Sequence, residues 1–373
     1  MRPLLPQGLC ARAAARAMMR PSSNERKTMK AAVLEALDTL TVKEVPTPQI
    51  DDDEVLVQVA ACAVCGSDIR MFHHGSPRIV PPAIMGHEAA GVVAQVGKHV
   101  SKFKVGDRVA LGGDVPCGEC VFCEAGIGNN CQVNYALGYQ FPGSFAEYVK
   151  LNRMVVNYGP VHKVPDHVTL EEAALAEPLG CVLNALELSP IEFGDAVVII
   201  GAGPIGCMIV EVAKKMGAGK VTVVQRSRPR LELARRFGAD VYICSSEEDP
   251  VARVKEETHG LGADVIITAN ASPDAQQTAL EMAKNRAWIN LFGGLPKGNS
   301  IVPLDTNLIH YKELFVCGSH GCMPRHHQKA VDLIADGVID VKQYISHRFP
   351  LDEAPAAFAA AEGRTGMRVV IAP

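Results

Sequence analysis

A chain of 373 residues, 48% hydrophobic and 21% charged, has room for two domains of ordinary size and the balance of a water-soluble globular protein. The formal net charge of −4 gives no reason to bind nucleic acid or an anionic membrane, and no apolar run is long enough to span a bilayer. Four of the twelve cysteines crowd between 117 and 131 at metal-ligand spacing, and Cys62, Cys207 and Cys244 sit in apolar context as buried thiols, so a reducing, cytoplasmic compartment fits better than a disulfide framework.

Residues 1–28 carry Arg2, Arg12, Arg16, Arg20, Arg26 and Lys27 against one acid, Glu25. A disordered tail and a true start at Met29 are the preferred readings, with an organelle transit peptide as the alternative; each leaves the segment outside the fold. From Met29 the pattern is strand-like. Lys30–Leu34, Leu40–Val45 and Val55–Ala60 read as strands, with Pro46, Pro48 and Asp51–Asp53 turning the chain between the last two. Gly91–Gly97 and Val105–Ala110 continue the series. Many short strands and few helices predict a compact β-rich domain or barrel.

Near Leu183 the rhythm becomes strand–helix alternation. Strands are expected at Ala196–Ile200, Val221–Val224, Asp240–Cys244, Ala263–Ala269, Ala287–Gly293 and Leu314–Gly318. Helices are expected at Pro204–Met216, Arg228–Phe237, Val251–Thr258 and Pro273–Ala283. This order predicts a parallel, doubly wound α/β sheet. The last fifty residues return to mixed character, with helices at His326–Ala335 and Leu351–Glu362 and a strand at Arg368–Ile371.

Three constellations carry chemistry. Cys65-Gly66-Ser67-Asp68 and Gly86-His87-Glu88 hold a thiolate, an imidazole and a carboxylate, the groups of a catalytic zinc site with one open position. Ser67 could pass a proton, and Asp68 could orient a histidine ligand from behind. Cys117-x2-Cys120-x2-Cys123-x7-Cys131 has the spacing of a closed, structural four-thiolate site, in a loop too poor in apolar residues to form a core. Zinc is the preferred metal and an iron–sulfur cluster the alternative.

Gly201-Ala202-Gly203-Pro204-Ile205-Gly206 follows a strand and opens a helix, the context in which this glycine pattern binds a dinucleotide pyrophosphate. An acid at the end of the next strand would take the ribose 2′-hydroxyl of NAD. Here Gln225 stands in that place, followed by Arg226, Arg228 and Arg230. Guanidinium groups suit a 2′-phosphate, so NADP(H) is favoured over NAD(H). The alternative is that these arginines form a solvated helix start.

The order of these motifs resembles the zinc-dependent medium-chain alcohol and polyol dehydrogenases, in their sorbitol dehydrogenase-like branch, from Met29 to Pro373. The resemblance implies a GroES-like catalytic domain split in sequence (29–183 and 323–373, with a zinc lobe at 112–132) around a Rossmann domain (184–322). It implies two zinc ions per chain. Cys65, His87 and Glu88 match ligands of the catalytic one, and Glu177 matches an acid that binds it directly or through its water. Ser67 matches the proton relay and Asp68 the orienting acid. Cys117, Cys120, Cys123 and Cys131 match the structural site. The implied reaction is hydride transfer between a secondary alcohol of a polyol, or its ketone, and NADP(H). The implied assembly is a homodimer or homotetramer. An NAD-dependent enzyme for a sugar-alcohol phosphate or an amino-alcohol such as threonine is the alternative. A non-catalytic protein that kept the fold is disfavoured by the intact ligands and glycine loop. His310–Met323, which should approach the substrate, matches no single substrate. The paired histidines His73, His74, His326 and His327 are expected to be solvated surface residues.

Overall fold

The computed structural model describes residues 27–373; the expectations for residues 1–26 lie outside this range. Two larger sheets dominate. The first has seven strands, in the order Val161–Lys163, Arg108–Leu111, Glu88–Val96, Val55–Ala63, Arg368–Ala372 and Ile345–Pro350, with Tyr148–Leu151 pairing on Val55–Ala63. Thr28–Ala36 pairs with Thr39–Pro46 and Ala83–Ile84 in a smaller sheet beside it. The second large sheet is parallel throughout. Its order is Val241–Cys244, Lys220–Gln225, Ala196–Ile200, Ala263–Thr268, Ala283–Leu291 and Phe315–Gly318.

Central strands of the parallel sheet are buried on both faces, which is why Val197–Ile200 reads as an unbroken apolar run. Each Val or Ile buried there is worth about 1.5–3 kcal/mol. Arg368–Ala372 returns to pair antiparallel with Val55–Ala63, in the register Val370↔Ala63 and Ile371↔Cys62.

Some expectations shift. Only Arg108–Leu111 of the stretch from Val105 is paired, because Gly106 turns the chain at φ 90° and leaves Val105 exposed. The helices Gly66–His74, Ala176–Leu188 and Thr306–Lys312 were not read from the sequence.

The histidine pairs need a larger correction. His326 and His327 are buried, because the helix Pro324–Ala335 is enclosed between the helix Ala176–Leu188 and the strand Val161–Lys163. His326 Nε2 lies 2.8 Å from Glu187 Oε2, and His327 Nδ1 lies 2.8 Å from His162 Nδ1. His73 is half-buried between Asp38 and Glu362, at 2.5 and 2.9 Å. Of the four, His74 alone is exposed.

The His162–His327 contact requires at least one neutral imidazole. Burial, then Lys102, brings His162 down to about 4; burial, then His162 itself, brings His327 down to about 3. Both folded-state values lie below the unfolded value near 6.5, so the unfolded chain binds more protons in the interval between them. Stability from this pair is therefore complete above about pH 6.5 and is lost as pH falls toward about 4. We expect the urea midpoint to drop over that interval and the drop to be shallower in His327→Gln. An equally steep acid limb in that variant places the titration elsewhere.

Candidate active site and metal centres

The strand Val55–Ala63 delivers Cys65 to the N-cap of the helix Gly66–His74. Asp68, on the first turn, accepts the Cys65 backbone N–H through Oδ2 at 2.9 Å. Its Oδ1 stands 3.4 Å from His87 Nδ1. One buried carboxylate thus fixes the backbone of one candidate ligand and faces the ring of the next. An Nδ1–H directed at Asp68 leaves the Nε2 lone pair free to bind a cation. Sheet register supplies the third group, since Ala63 pairs directly with Glu88. Before His87, Gly86 has φ 98°, and a Cβ there would stand 2.8 Å from Cys62 Sγ; both facts demand glycine.

The ligand atoms of Cys65, His87 and Glu88 all lie within 4.8 Å of one another. Glu88 Oε2 is buried without a partner, Glu88 Oε1 meets only the Arg368 guanidinium, and Asp68 Oδ1 and His87 Nδ1 face each other at 3.4 Å without forming a well-aligned hydrogen bond. Burial opposes charge on His87, but Asp68 and Cys65 outweigh it and hold the imidazole well above its ordinary value. Burial pushes the Glu88 carboxyl up, with Arg368 opposing. Buried donor atoms converging without partners are the surroundings a divalent cation completes, so these residues fit a metal.

Arg368 was missed by sequence reasoning. Its Nη1 lies 3.0 Å from Glu88 Oε1, and both side chains are almost fully buried. The available signal was a charge opening an otherwise apolar strand, Arg368–Ala372, since buried charges come paired. Glu177, at the start of the helix Ala176–Leu188, is also buried. Burial, with Glu88 and Asp114 adding to it, pushes its carboxyl up to about 7. A Cβ on Gly113 would touch both His87 and Glu177, at 3.5 and 3.6 Å, so the two are close neighbours. Yet Glu177 groups within 4.8 Å with Cys181 and Cys322 rather than with the trio. Ser67 Oγ lies 3.4 Å from His87 Nε2. Tyr139, also missed, has its ring 5.8 Å from that of His87.

The four cysteines of the loop form a second cluster. Their sulfurs lie within 4.8 Å of one another, with Cys117–Cys123 at 3.8 Å, Cys120–Cys123 at 3.5 Å and Cys120–Cys131 at 3.9 Å. Tetrahedral zinc with Zn–S bonds of about 2.3 Å separates its sulfurs by about 3.8 Å. Backbone N–H groups of Gln132 and Cys123 bring the Cys120 thiol down to about 6; burial and the neighbouring thiols push Cys123 up to about 12. Four thiolates cannot crowd together without a cation, and the fit to zinc is good. Val121, Phe122 and Ile127 point outward, so no local core could replace the cross-link.

The glycine loop has the expected form. Gly201 takes φ 125°, and Gly203 caps the helix Pro204–Met216, whose first residue is Pro204. A Cβ on Gly206 would stand 1.9 Å from the Gly201 carbonyl oxygen, whereas one on Gly203 meets nothing. Ile205 packs half-buried on the core behind the loop. Gln225 ends the second strand, and its Oε1 accepts the Ala202 N–H at 3.0 Å.

The three arginines behind Gln225 separate in role, which corrects their joint reading. Arg228 is paired with Glu247. Arg230 donates to Ala202 O at 2.9 Å and to the carbonyls of Arg364 and Gly366, tying the loop to the C-terminal stretch. Arg226 is exposed and has no side-chain partner among the described residues.

Comparison with known proteins agrees with this layout. Residues 51–166 match the alcohol dehydrogenase GroES-like domain, and residues 204–336 match the zinc-binding dehydrogenase family. The chain is 34% identical to D-arabitol-phosphate dehydrogenase of Enterococcus avium over 340 residues, covering 89% of this chain and 94% of the relative. It is 34% identical to sorbitol dehydrogenase of Bombyx mori over 348 residues, covering 91% and 97%. It is 35% identical to L-threonine 3-dehydrogenase of Bacillus subtilis over 335 residues, covering 88% and 94%. Among solved structures, a zinc-binding dehydrogenase from Sinorhizobium meliloti 1021 bound to NADP superposes with a TM-score of 0.87 at 32% identity, covering 93% of this chain and 100% of that one.

Proposed function

The chain belongs to the zinc-binding alcohol dehydrogenase family, and on that premise we propose that it interconverts a secondary alcohol of a polyol with the ketone, using NADP(H). The observation that carries this reading is the convergence of Cys65, His87 and Glu88, with buried polar atoms lacking partners, at the end of the sheet strand Val55–Ala63. Cys65, His87 and Glu88 hold the catalytic zinc, and Glu177 binds it directly or through water. The four lobe cysteines hold a structural zinc. A zinc ion in the first site supplies Lewis acidity that makes the alcohol proton labile, and the nicotinamide supplies the hydride acceptor.

The remaining work falls to the chain's own side chains. Ser67 Oγ, within 3.4 Å of His87 Nε2, receives the alcohol proton and passes it outward. Asp68 holds the His87 ring in one tautomer and fixes the Cys65 backbone. Arg368 balances Glu88, so that the trio's charge is not left unpaired. The glycine loop receives the pyrophosphate, with Gly203 open toward it, and Gln225 and Arg226 receive the adenosine ribose and its 2′-phosphate.

The enzyme works in the cytoplasm as a homodimer or homotetramer. None of the described cysteines is in a disulfide, which suits a reducing compartment. No described helix is long and apolar enough to cross a membrane. A panel of polyols and ketoses with NADP(H) and NAD(H), on protein whose zinc has been counted, tests the reading. Turnover of polyols with two zinc ions per chain is expected. A two-zinc protein that turns over no polyol or ketose with either cofactor sinks it.

A further inference from the structure

We propose that the substrate of this site carries an anionic end-group, a phosphate ester or a carboxylate, and that Arg78 anchors it. The inference rests on the dehydrogenase reading above and adds the chemical class of the substrate.

Arg78 lies in the loop between the helix Gly66–His74 and the strand Ala83–Ile84. Its guanidinium sits over the Tyr139 ring, 4.8 Å from the centroid. The same ring lies 5.8 Å from the His87 ring, and its phenol interacts with Ser67. Tyr139 thus touches both Arg78 and His87, and this one residue links the guanidinium to the trio. One N–H is placed by the chain itself, as Nη2 donates to Asn134 O at 2.6 Å. The Nε–H is buried and has no acceptor.

No carboxylate among the described residues pairs with this guanidinium. Asp114 lies in its field, but Asp114 Oδ2 accepts the Cys322 N–H at 3.1 Å instead. A buried N–H on a cation without an acceptor is costly. The planar fork of an arginine matches the paired oxygens of a phosphate or carboxylate. The surrounding charge also orients the ligand. Asp68, Glu88 and Glu177 are buried acids in or beside the trio, Asp114 is a half-buried one, and together they disfavour a second anion there. The carbinol end thus faces the trio and the anionic end faces Arg78.

The experiment compares one polyol, its terminal phosphate ester and its terminal carboxylate on the zinc- and cofactor-loaded enzyme. An anionic arm is expected to exceed the neutral polyol in kcat/KM by about 10–100-fold, the worth of a charge-assisted hydrogen bond. Whichever of the two leads identifies the end-group. In Arg78→Met the ratio of anionic to neutral falls to near one, and Arg78→Lys, which keeps charge but loses the fork, falls between. Inorganic phosphate, titrated calorimetrically with the nucleotide site already filled, should bind the wild type at least about tenfold more tightly than Arg78→Met. Equal use of all three compounds overturns the proposal. So does a variant that loses thermal stability but keeps its selectivity, which would mark Arg78 as a brace for Asn134. If no alcohol in any arm is oxidised, the reading of the reaction falls, and the phosphate titration still decides Arg78.

Discussion

Cys65→Ser should lose one zinc equivalent of two and lower kcat/KM on the preferred alcohol by about 10³-fold or more, while the lobe keeps its metal. Serine is nearly the size of cysteine, but its hydroxyl stays protonated at neutral pH and is a poor zinc ligand. The variant leaves His87 and Glu88 as the trio's only donors, with Glu88 already facing Arg368 at 3.0 Å. Lewis-acid stabilisation is worth several kcal/mol, and each ~1.4 kcal/mol is tenfold in rate. Metal analysis and activity are read on the same sample, because the lobe sulfurs form a separate cluster. Unchanged activity with unchanged zinc would remove Cys65 from the site.

The second large effect concerns the cofactor. Arg226→Ala should lower kcat/KM for NADP(H) by about 10–100-fold and spare NAD(H), the loss expected for a charge-assisted hydrogen bond to phosphate. Adding Gln225→Asp should reverse the preference, since an acid there binds the ribose hydroxyl and repels a phosphate. Arg226 bears this load because its neighbours are committed elsewhere. Arg228 is held by Glu247, and Arg230 spends its N–H groups on backbone carbonyls. A wild-type enzyme that prefers NAD(H), or an Arg228→Ala variant with the larger effect, would refute the assignment.

Much of the site was legible because each part is local. Cys65 and Asp68 share a turn, His87 and Glu88 are adjacent, and both the cysteine lobe and the glycine loop are short continuous motifs. What escaped depends on distant partners. Arg368 meets Glu88, and Tyr139 meets His87, only after the sheet has formed. Nothing in the spacing of His162 and His327, 165 positions apart, announces their contact. The helix Ala176–Leu188 escaped for another reason. Most of its residues are buried, so no polar face marks a 3.6-residue period, and Pro178 and Gly180 near its start read as a turn. The histidines of Pro324–Ala335 were read as solvated because a surface position was expected for that segment; packing on both sides of the helix decided otherwise.

The return of Arg368–Ala372 into the first sheet also bears on the order of folding. Arg368 Nη1 donates to Val64 O across 304 positions of chain, at 3.4 Å. A contact of such sequence separation forms late, because the loop it closes must be ordered before the contact repays its entropy. The parallel sheet lies wholly within that loop and closes through nearer neighbours. The nucleotide-binding half can therefore take shape while the first sheet still lacks its strand between Val55–Ala63 and Ile345–Pro350. Glu88 acquires its countercharge only when that strand arrives, so completion of the candidate metal site waits on this long-range pairing.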